Sequence, residues 1–167
     1  VENFRPGLMA KLGLDFESLS KQFPRLVYAS HKGFLPGPYE NRLALDEVVQ
    51  NTAGLTYMTG PRGRPLRAGS SVNDIMGGMF GAIGVLAALR ERERTGRGTV
   101  VRTSLLAAIV GVHGFQGTRW TVAHEVPEGP GNHHPSIAPY GLFHAADGAI
   151  QVAVGSETQW RAFAPLV

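Results

Sequence analysis

Asp74 is the residue whose position in this sequence points most directly to chemistry. It follows a loop of small polar residues at 68–73 and precedes a long apolar stretch at 75–89. This order predicts that Asp74 lies in the first turn of a helix, where Asn73 or Asp74 itself can cap free backbone N–H groups. Such a turn is a place to hold an anion. Spacing alone leaves open whether Asp74 is only a cap.

Four glycines lie inside the apolar stretch that follows Asp74, at positions 77, 78, 81 and 84. Each interior glycine weakens a helix by up to about 1 kcal/mol relative to alanine. Four of them therefore predict that another part of the structure comes very close to this backbone. A partner helix and a bound ligand are both consistent with the pattern.

Several other chemistries lack the residue patterns that they need. The chain has no cysteine, which excludes a disulfide framework, a thiolate metal site and a cysteine nucleophile. Its six histidines form no metal-binding motif, so we expect no metal. The helix glycines do not follow a strand-to-helix turn, which argues against a phosphate-binding loop. Ser70 and Ser71 lack the Gly-x-Ser-x-Gly elbow of a hydrolase nucleophile.

Composition is that of a globular domain with a real core: 167 residues, 43% apolar and 17% charged. The net charge is +3, and the arginines at 90–97 alternate with glutamates, which predicts a solvated helix end and no nucleic-acid partner. We find no signal peptide, and residues 75–89 are too short and glycine-rich to span a bilayer, so we expect a cytoplasmic protein without a membrane partner. The missing initiator methionine and an end within a helix indicate a piece of a longer protein.

The sequence around Asp74 predicts alternating helices and strands. Helices are predicted at 8–12, 15–22, 43–50 and 104–112, and short buried strands at 26–30 and 100–101. This order predicts an α/β fold with a parallel sheet, in which the glycine-rich loop 31–39 forms a wall of the site. Residues 140–154 predict a hairpin with an Asp-Gly turn, and Ser156 a capping box for a last helix. We place a domain boundary near residue 126, between an α/β portion (1–125) and the linker and start of a smaller α+β domain (126–167).

The segments 1–7, 24–30, 84–89, 95–98 and 132–141 resemble, in the same order, the class III CoA-transferase family. That family includes formyl-CoA transferase, the carnitine and crotonobetaine enzymes and α-methylacyl-CoA racemase. The resemblance covers nearly the whole chain. It implies part of a Rossmann-like open sheet in a large CoA-binding domain, with further chain before residue 1 and after residue 167. It also implies an interlocked homodimer.

The resemblance implies that Asp74 is catalytic. In the transferases, the matching aspartate attacks an acyl-CoA thioester to form a mixed anhydride, and the released CoA thiolate converts this to an aspartyl-CoA thioester. A carboxylic acid acceptor then reverses the chemistry. A helix N-terminus is expected to keep the carboxylate ionised and to stabilise developing negative charge.

The resemblance also implies a set of CoA-binding residues. Asn3 and Phe4 match positions that contact the adenine-nucleotide end of coenzyme A, and Lys11 matches a basic position that can meet a phosphate. Arg5 is a further candidate. Gly33 and the loop after it match the wall of the pantetheine and acyl channel.

One departure bears on the choice within the family. The racemases have a histidine where this chain has Leu45, and without that base a 1,1-proton transfer lacks one of its two acid/base groups. We therefore expect a CoA-transferase acting on an acyl-CoA and a small carboxylic acid. A racemase is the alternative, for which Glu157 loosely matches the acid. A third possibility is a non-catalytic piece that acts in dimer assembly.

Overall fold

The computed structural model describes all residues from 1 to 167. The chain forms eight α-helices, four β-strands and one short terminal 3₁₀ turn. The helices are α1 (Leu8–Lys11), α2 (Phe16–Leu19), α3 (Asp46–Thr52), α4 (Leu55–Met58), α5 (Val72–Thr95), α6 (Leu105–Gly111), α7 (Gly114–Ala123) and α8 (Glu157–Phe163), and the strands are β1 (Tyr28–Lys32), β2 (Val100–Ser104), β3 (Tyr140–Ala145) and β4 (Gly148–Ala153).

The predicted α/β class with a parallel sheet is confirmed. Strands β1 and β2 pair in parallel, with Tyr28 opposite Val100 and His31 opposite Thr103. Glu2 adds a short parallel bridge on the other side of β1, because its backbone bonds to Ala29 and His31. The first strand begins and ends two residues later than predicted. His31 and Lys32 therefore belong to its carboxyl end and not to the loop that follows.

Helix α5 packs on the sheet through three of its glycines. A methyl group added at Gly77 would overlap the ring of His31, one at Gly84 would lie 2.7 Å from Val101, and one at Gly81 would touch Thr103 at 3.6 Å. All three contacts come from β1 and β2. The close approach that the glycines predict is thus made by strand side chains, and neither a partner helix nor a ligand is needed to explain it.

Gly78 and Gly84 provide a matched pair for testing this packing. A methyl group at Gly78 meets nothing within 4 Å. We expect Gly78→Ala to stabilise the protein by about 0.5–1 kcal/mol, since alanine favours the helix. We expect Gly84→Ala to cost about 1–3 kcal/mol, because the stiff Val101 side chain must move. Urea unfolding of the full-length protein measures both changes, and equal effects of the two variants would contradict the packing.

The core that supports the site is small. Only 18 of the 167 residues are buried, and the main cluster is formed by Phe34, Val49, Leu105 and Ile109. One face of α5 stays exposed, including Ile75, Met79, Ile83 and Leu86. The helix has 24 residues, longer than the apolar stretch suggested, and by length and composition it could cross a membrane. Core helices of globular proteins meet the same criteria, and α5 packs its glycines against the sheet.

From residue 104 onward, the serines at the predicted helix starts act as N-caps. Ser104 accepts a hydrogen bond from the N–H of Ala107 at 3.1 Å, and Ser156 accepts one from Gln159 at 3.3 Å. Strands β3 and β4 form the predicted hairpin. Helices α4 and α7 lie where no helix was predicted. The segment around Glu128 packs on the chain near Gly60, and the domain boundary near residue 126 stays a prediction.

Candidate active site

A cavity of about 570 Å³ opens where the carboxyl end of β1 meets the start of α5. Asp74, the predicted catalytic residue, lines it. The candidate CoA-binding residues Asn3, Phe4, Arg5 and Gly33 line the same cavity. Lys11 lies in the last turn of α1, exposed and outside the lining residues. Five of the six residues singled out in the sequence thus come together at one place.

The N-terminus of α5 is capped by a residue that is distant in the chain. Neither Asn73 nor Asp74 caps it, contrary to expectation, and Ser71 at the N-cap position makes no side-chain cap bond. Instead, the carboxylate of Asp46, at the start of α3, accepts a hydrogen bond from the N–H of Asn73 at 2.9 Å and from that of Asp74 at 3.4 Å. The helix end that carries Asp74 is therefore fixed to α3.

Asp46 is itself held in a buried network. Gln50 donates to its second oxygen at 2.5 Å and accepts a bond from the N–H of Ala68 at 2.8 Å. Asn73 donates its side-chain N–H to the Asp46 carbonyl at 3.1 Å. Asp46, Gln50 and Asn73 are all almost completely buried. This network joins α3, the loop before α5 and the first turn of α5 into one rigid support for Asp74.

The pKa of Asp74 is raised, whereas a helix N-terminus is expected to keep a carboxylate ionised. Partial burial is the main cause that raises the pKa of Asp74, and the negative charges of Asp46 and Glu47 raise it further. His31 acts in the opposite direction but does not outweigh them. Because Asp46 already occupies the free N–H groups of the helix, Asp74 does not receive their full benefit. The charged form of its carboxylate is therefore less stable than that of an ordinary surface aspartate.

His31 is a functional candidate that the sequence argument missed. The sequence places His31 in the loop 31–39 that is predicted to form a wall of the site, but assigns it no chemical role, and predicts that the strand ends before it. In the structure His31 lines the cavity with Asp74, and its Nδ1 lies 2.8 Å from the hydroxyl of Thr103. Burial lowers the pKa of His31, although Asp74 opposes this. A polar residue at the carboxyl end of a buried parallel strand is the signal that could have found it.

The segment that carries Asn3, Phe4 and Arg5 is anchored by Glu2. The buried Glu2 carboxylate accepts hydrogen bonds from Lys32 at 2.6 Å, from the Ser30 hydroxyl at 2.5 Å and from the N–H of Phe4 at 3.0 Å. Burial alone would raise the pKa of Glu2, but these three bonds outweigh it and lower the pKa. The carboxylate thus holds residues 3–5 against β1 at the rim of the cavity.

Close packing explains the glycine at position 33. A methyl group at Gly33 would overlap the side chain of Ala44, so glycine is required there for the loop to pass the segment that precedes α3. No three His, Asp or Glu side chains of the chain are grouped so that they could hold a metal ion.

A family model for CoA-transferase family III matches residues 1–167, the whole of the chain. The chain belongs to CoA-transferase family III. Among its curated relatives, acetyl-CoA:oxalate CoA-transferase of Acetobacter aceti is 37% identical over 170 residues, covering 100% of this chain and 44% of that enzyme. Succinate–glutarate CoA-transferase of Agrobacterium fabrum is 37% identical and covers 96% of this chain and 41% of that enzyme.

Solved structures agree with the assignment to CoA-transferase family III. A CAIB/BAIF family protein from Brucella suis superposes with a TM-score of 0.85 at 35% identity, over 99% of this chain and 44% of that one. Rv3272 of Mycobacterium tuberculosis superposes with a TM-score of 0.83 at 32% identity, over 99% of this chain and 43% of that one. The chain therefore spans less than half the length of the family members that it matches.

Proposed function

We propose that the full-length protein transfers CoA from an acyl-CoA thioester to a carboxylic acid, with Asp74 as the nucleophile. The observation that carries this proposal is the placement of Asp74. It stands at the start of a long helix, its helix turn is fixed by a buried network, and it lines a cavity with the candidate CoA-binding residues. Membership of a family whose named relatives are CoA-transferases supports the same reaction.

Asp74 would act in two covalent steps. Its carboxylate forms a bond to the thioester carbonyl carbon, and the C–S bond breaks as CoA leaves as the thiolate, which produces a mixed anhydride. The thiolate then attacks the Asp74 carbonyl, which releases the carboxylate of the donor and leaves an aspartyl-CoA thioester. An acceptor carboxylate reverses both steps. A partly buried nucleophile that is poorly stabilised as an anion suits this chemistry, because it gains by losing its charge.

Positive charge at the cavity fits anionic substrates. Arg5, Lys32 and Arg42 line it, and Lys32 is held by Glu2. Arg42 lies over the ring of Tyr39, 4.5 Å from its centre, and makes no ion pair within the chain. We propose that Asn3, Phe4, Arg5 and the more distant Lys11 meet the nucleotide end of CoA. Since the names of the relatives mention oxalate, succinate and glutarate, we further propose a short dicarboxylate as the acceptor.

Leu45 favours transfer over racemisation. It immediately precedes α3 with an exposed aliphatic side chain, so it supplies no base for removing an α-proton. Racemisation is therefore the alternative outcome of the test below.

The test is chemical trapping in the full-length protein. The protein is incubated with a panel of acyl-CoAs, treated with hydroxylamine or borohydride, digested and mapped by mass spectrometry. We expect a modification on Asp74 with at least one donor. No adduct with any donor, together with solvent deuterium entering the α-carbon of the substrate, would overturn the proposal in favour of racemisation.

The exposed apolar face of α5 supports a second copy as a partner. This face is exposed to solvent in the isolated chain and consists of Ile75, Met79, Ile83 and Leu86. Burying these apolar side chains against a partner would be favourable, because it removes apolar surface from water. We propose that the full-length protein is the homodimer that its family resemblance implies. Light scattering of the purified protein would measure its mass, and a monomer would contradict this proposal.

A further inference from the structure

The imidazole of His31 has an arrangement that the mechanism above does not use. Its Nδ1 contacts the hydroxyl of Thr103, the residue directly opposite on β2. The other edge of its ring faces α5: a methyl group at Gly77 would overlap Cε1 and would lie 3.0 Å from Nε2. The ring therefore occupies the space that a side chain at position 77 would take. Nε2 bonds to no protein group.

The contact with Thr103 fits either neutral tautomer of the ring, since Nδ1 accepts from the hydroxyl in one and donates to it in the other. Nδ1 of His31 is the only hydrogen-bond partner of the Thr103 hydroxyl within the protein. When Thr103 donates, the neutral ring carries its proton on Nε2. Burial of the ring keeps it neutral, and the ammonium of Lys32 acts in the same sense. In that tautomer the ring of His31, which lines the cavity, has its N–H donor at Nε2.

The spacing of Asp74 and Gly77 along α5 brings Asp74 and the His31 ring to the same face of the helix. Residues three apart lie on one face, with Cβ atoms about 5–6 Å from each other. Asp74 and Gly77 have this spacing, and the His31 ring takes the place of the missing side chain at 77. Asp74 and His31 both line the cavity, so a thioester bound there can meet both side chains.

Resting on the function proposed above, we propose that His31 is a further catalytic residue, whose Nε2–H stabilises the carbonyl oxygen that becomes negative when Asp74 attacks the thioester. In that step the Asp74 oxygen bonds to the carbonyl carbon and the C=O electron pair moves onto oxygen. When the pair returns, the C–S bond breaks and CoA thiolate leaves. The neutral ring donates a hydrogen bond throughout and transfers no proton, so the thiolate stays reactive for the next step.

Three variants of the full-length protein test the role of His31. His31→Leu keeps the approximate volume but removes the donor, His31→Gln keeps an N–H donor, and His144→Gln changes an exposed histidine on β3. The donor panel is that of the trapping experiment, and the rate measured is that of adduct formation on Asp74 in a single turnover. Affinity for CoA is measured in parallel.

We expect His31→Leu to slow the acylation of Asp74 by about 100- to 1,000-fold, as for the loss of one oxyanion donor. CoA affinity should change less than the rate, His31→Gln should recover part of the loss, and His144→Gln should behave as wild type. Acylation of Asp74 at the wild-type rate in His31→Leu would overturn the assignment to His31 while leaving the proposed function intact. No adduct on Asp74 in the wild type would instead remove the proposed function.

A second comparison covers the case in which His31→Leu fails to fold. Thr103→Val leaves the ring in place and removes only the hydroxyl that fixes its proton. We expect this variant to slow acylation by less than His31→Leu and more than His144→Gln. If Thr103→Val acylates at the wild-type rate, the role proposed for the His31 N–H is wrong.

Discussion

Replacing Asp74 with asparagine is expected to abolish CoA transfer and, at neutral pH, to make the protein more stable. The amide cannot attack a thioester, so we expect a loss of roughly 10,000-fold or more in turnover, as is usual when a covalent nucleophile is removed. Binding of CoA should persist, because Asn3, Phe4 and Arg5 are untouched. Turnover is measured by the appearance of the new thioester, and CoA affinity by calorimetry.

The gain in stability follows from the raised pKa of Asp74. At strongly acid pH the side chain is neutral in both folded and unfolded chains, so the replacement changes little. At neutral pH it is charged in both, and only the folded chain bears the cost of its partial burial and of the charge on Asp46. The stabilisation by Asp74→Asn should therefore increase as the pH rises from acid to neutral.

Asp147→Asn provides the control for this prediction. Asp147 lies in the turn between β3 and β4, away from the cavity, and asparagine is equally suited to such a turn. It should leave turnover unchanged. Substantial transfer by Asp74→Asn would refute the nucleophile, and a pH-independent effect on unfolding would refute the electrostatic argument.

Replacing Asp46 with alanine is expected to destabilise the protein by about 2–4 kcal/mol, since it removes a helix cap and leaves buried donors unpaired. The backbone N–H groups of Asn73 and Asp74 lose their side-chain acceptor, and the amide of Gln50 keeps only its longer bond to the Ser70 carbonyl, at 3.4 Å. Turnover should fall as well, because the first turn of α5 is no longer fixed to α3. Denaturant unfolding and the transfer assay measure the two effects.

Asp46→Asn separates the charge of Asp46 from its hydrogen bonds. One side-chain oxygen remains as an acceptor, but the new amide group faces a donor, so part of the destabilisation persists. Loss of the negative charge should lower the pKa of Asp74, which NMR titration of its carboxyl group can follow. Glu47→Gln is the control for the fold, because Glu47 is bonded on the surface to Arg67. If Asp46→Ala unfolds at the same denaturant concentration as Glu47→Gln, the capping argument is wrong.

Local signals in the sequence predicted local structure well. Asp15, Ser104 and Ser156 cap the helices that they precede, and the Asp147–Gly148 turn closes the hairpin. Each of these depends on groups only a few residues apart. The cap of α5 could not be predicted in this way, because Asp46 lies 27 residues before Asn73 and reaches it only through tertiary packing.

The candidate site likewise contains some residues that the sequence indicated and one that depends on tertiary packing. The resemblance to the family identified Asp74, Asn3, Phe4, Arg5 and Gly33, which the fold brings to one cavity. It gave no reason to choose His31, since the strand boundary was misplaced by two residues and the partner on β2 is 72 residues away. The glycine pattern in α5 predicted a close contact, but it did not indicate that strands β1 and β2 make that contact.

The glycine-rich helix and the long separation of its two supporting strands have a consequence for folding. A helix with four interior glycines is unstable alone, and pairing β1 with β2 closes a loop whose chain entropy costs several kcal/mol, growing slowly with its length. Formation of α5, its cap and the His31 contact is therefore expected to depend on packing against β1 and β2. Under the proposed function an acyl-CoA binds the folded chain and not the unfolded one, so the ligand should shift the folding equilibrium toward the native state and protect α5 from hydrogen exchange.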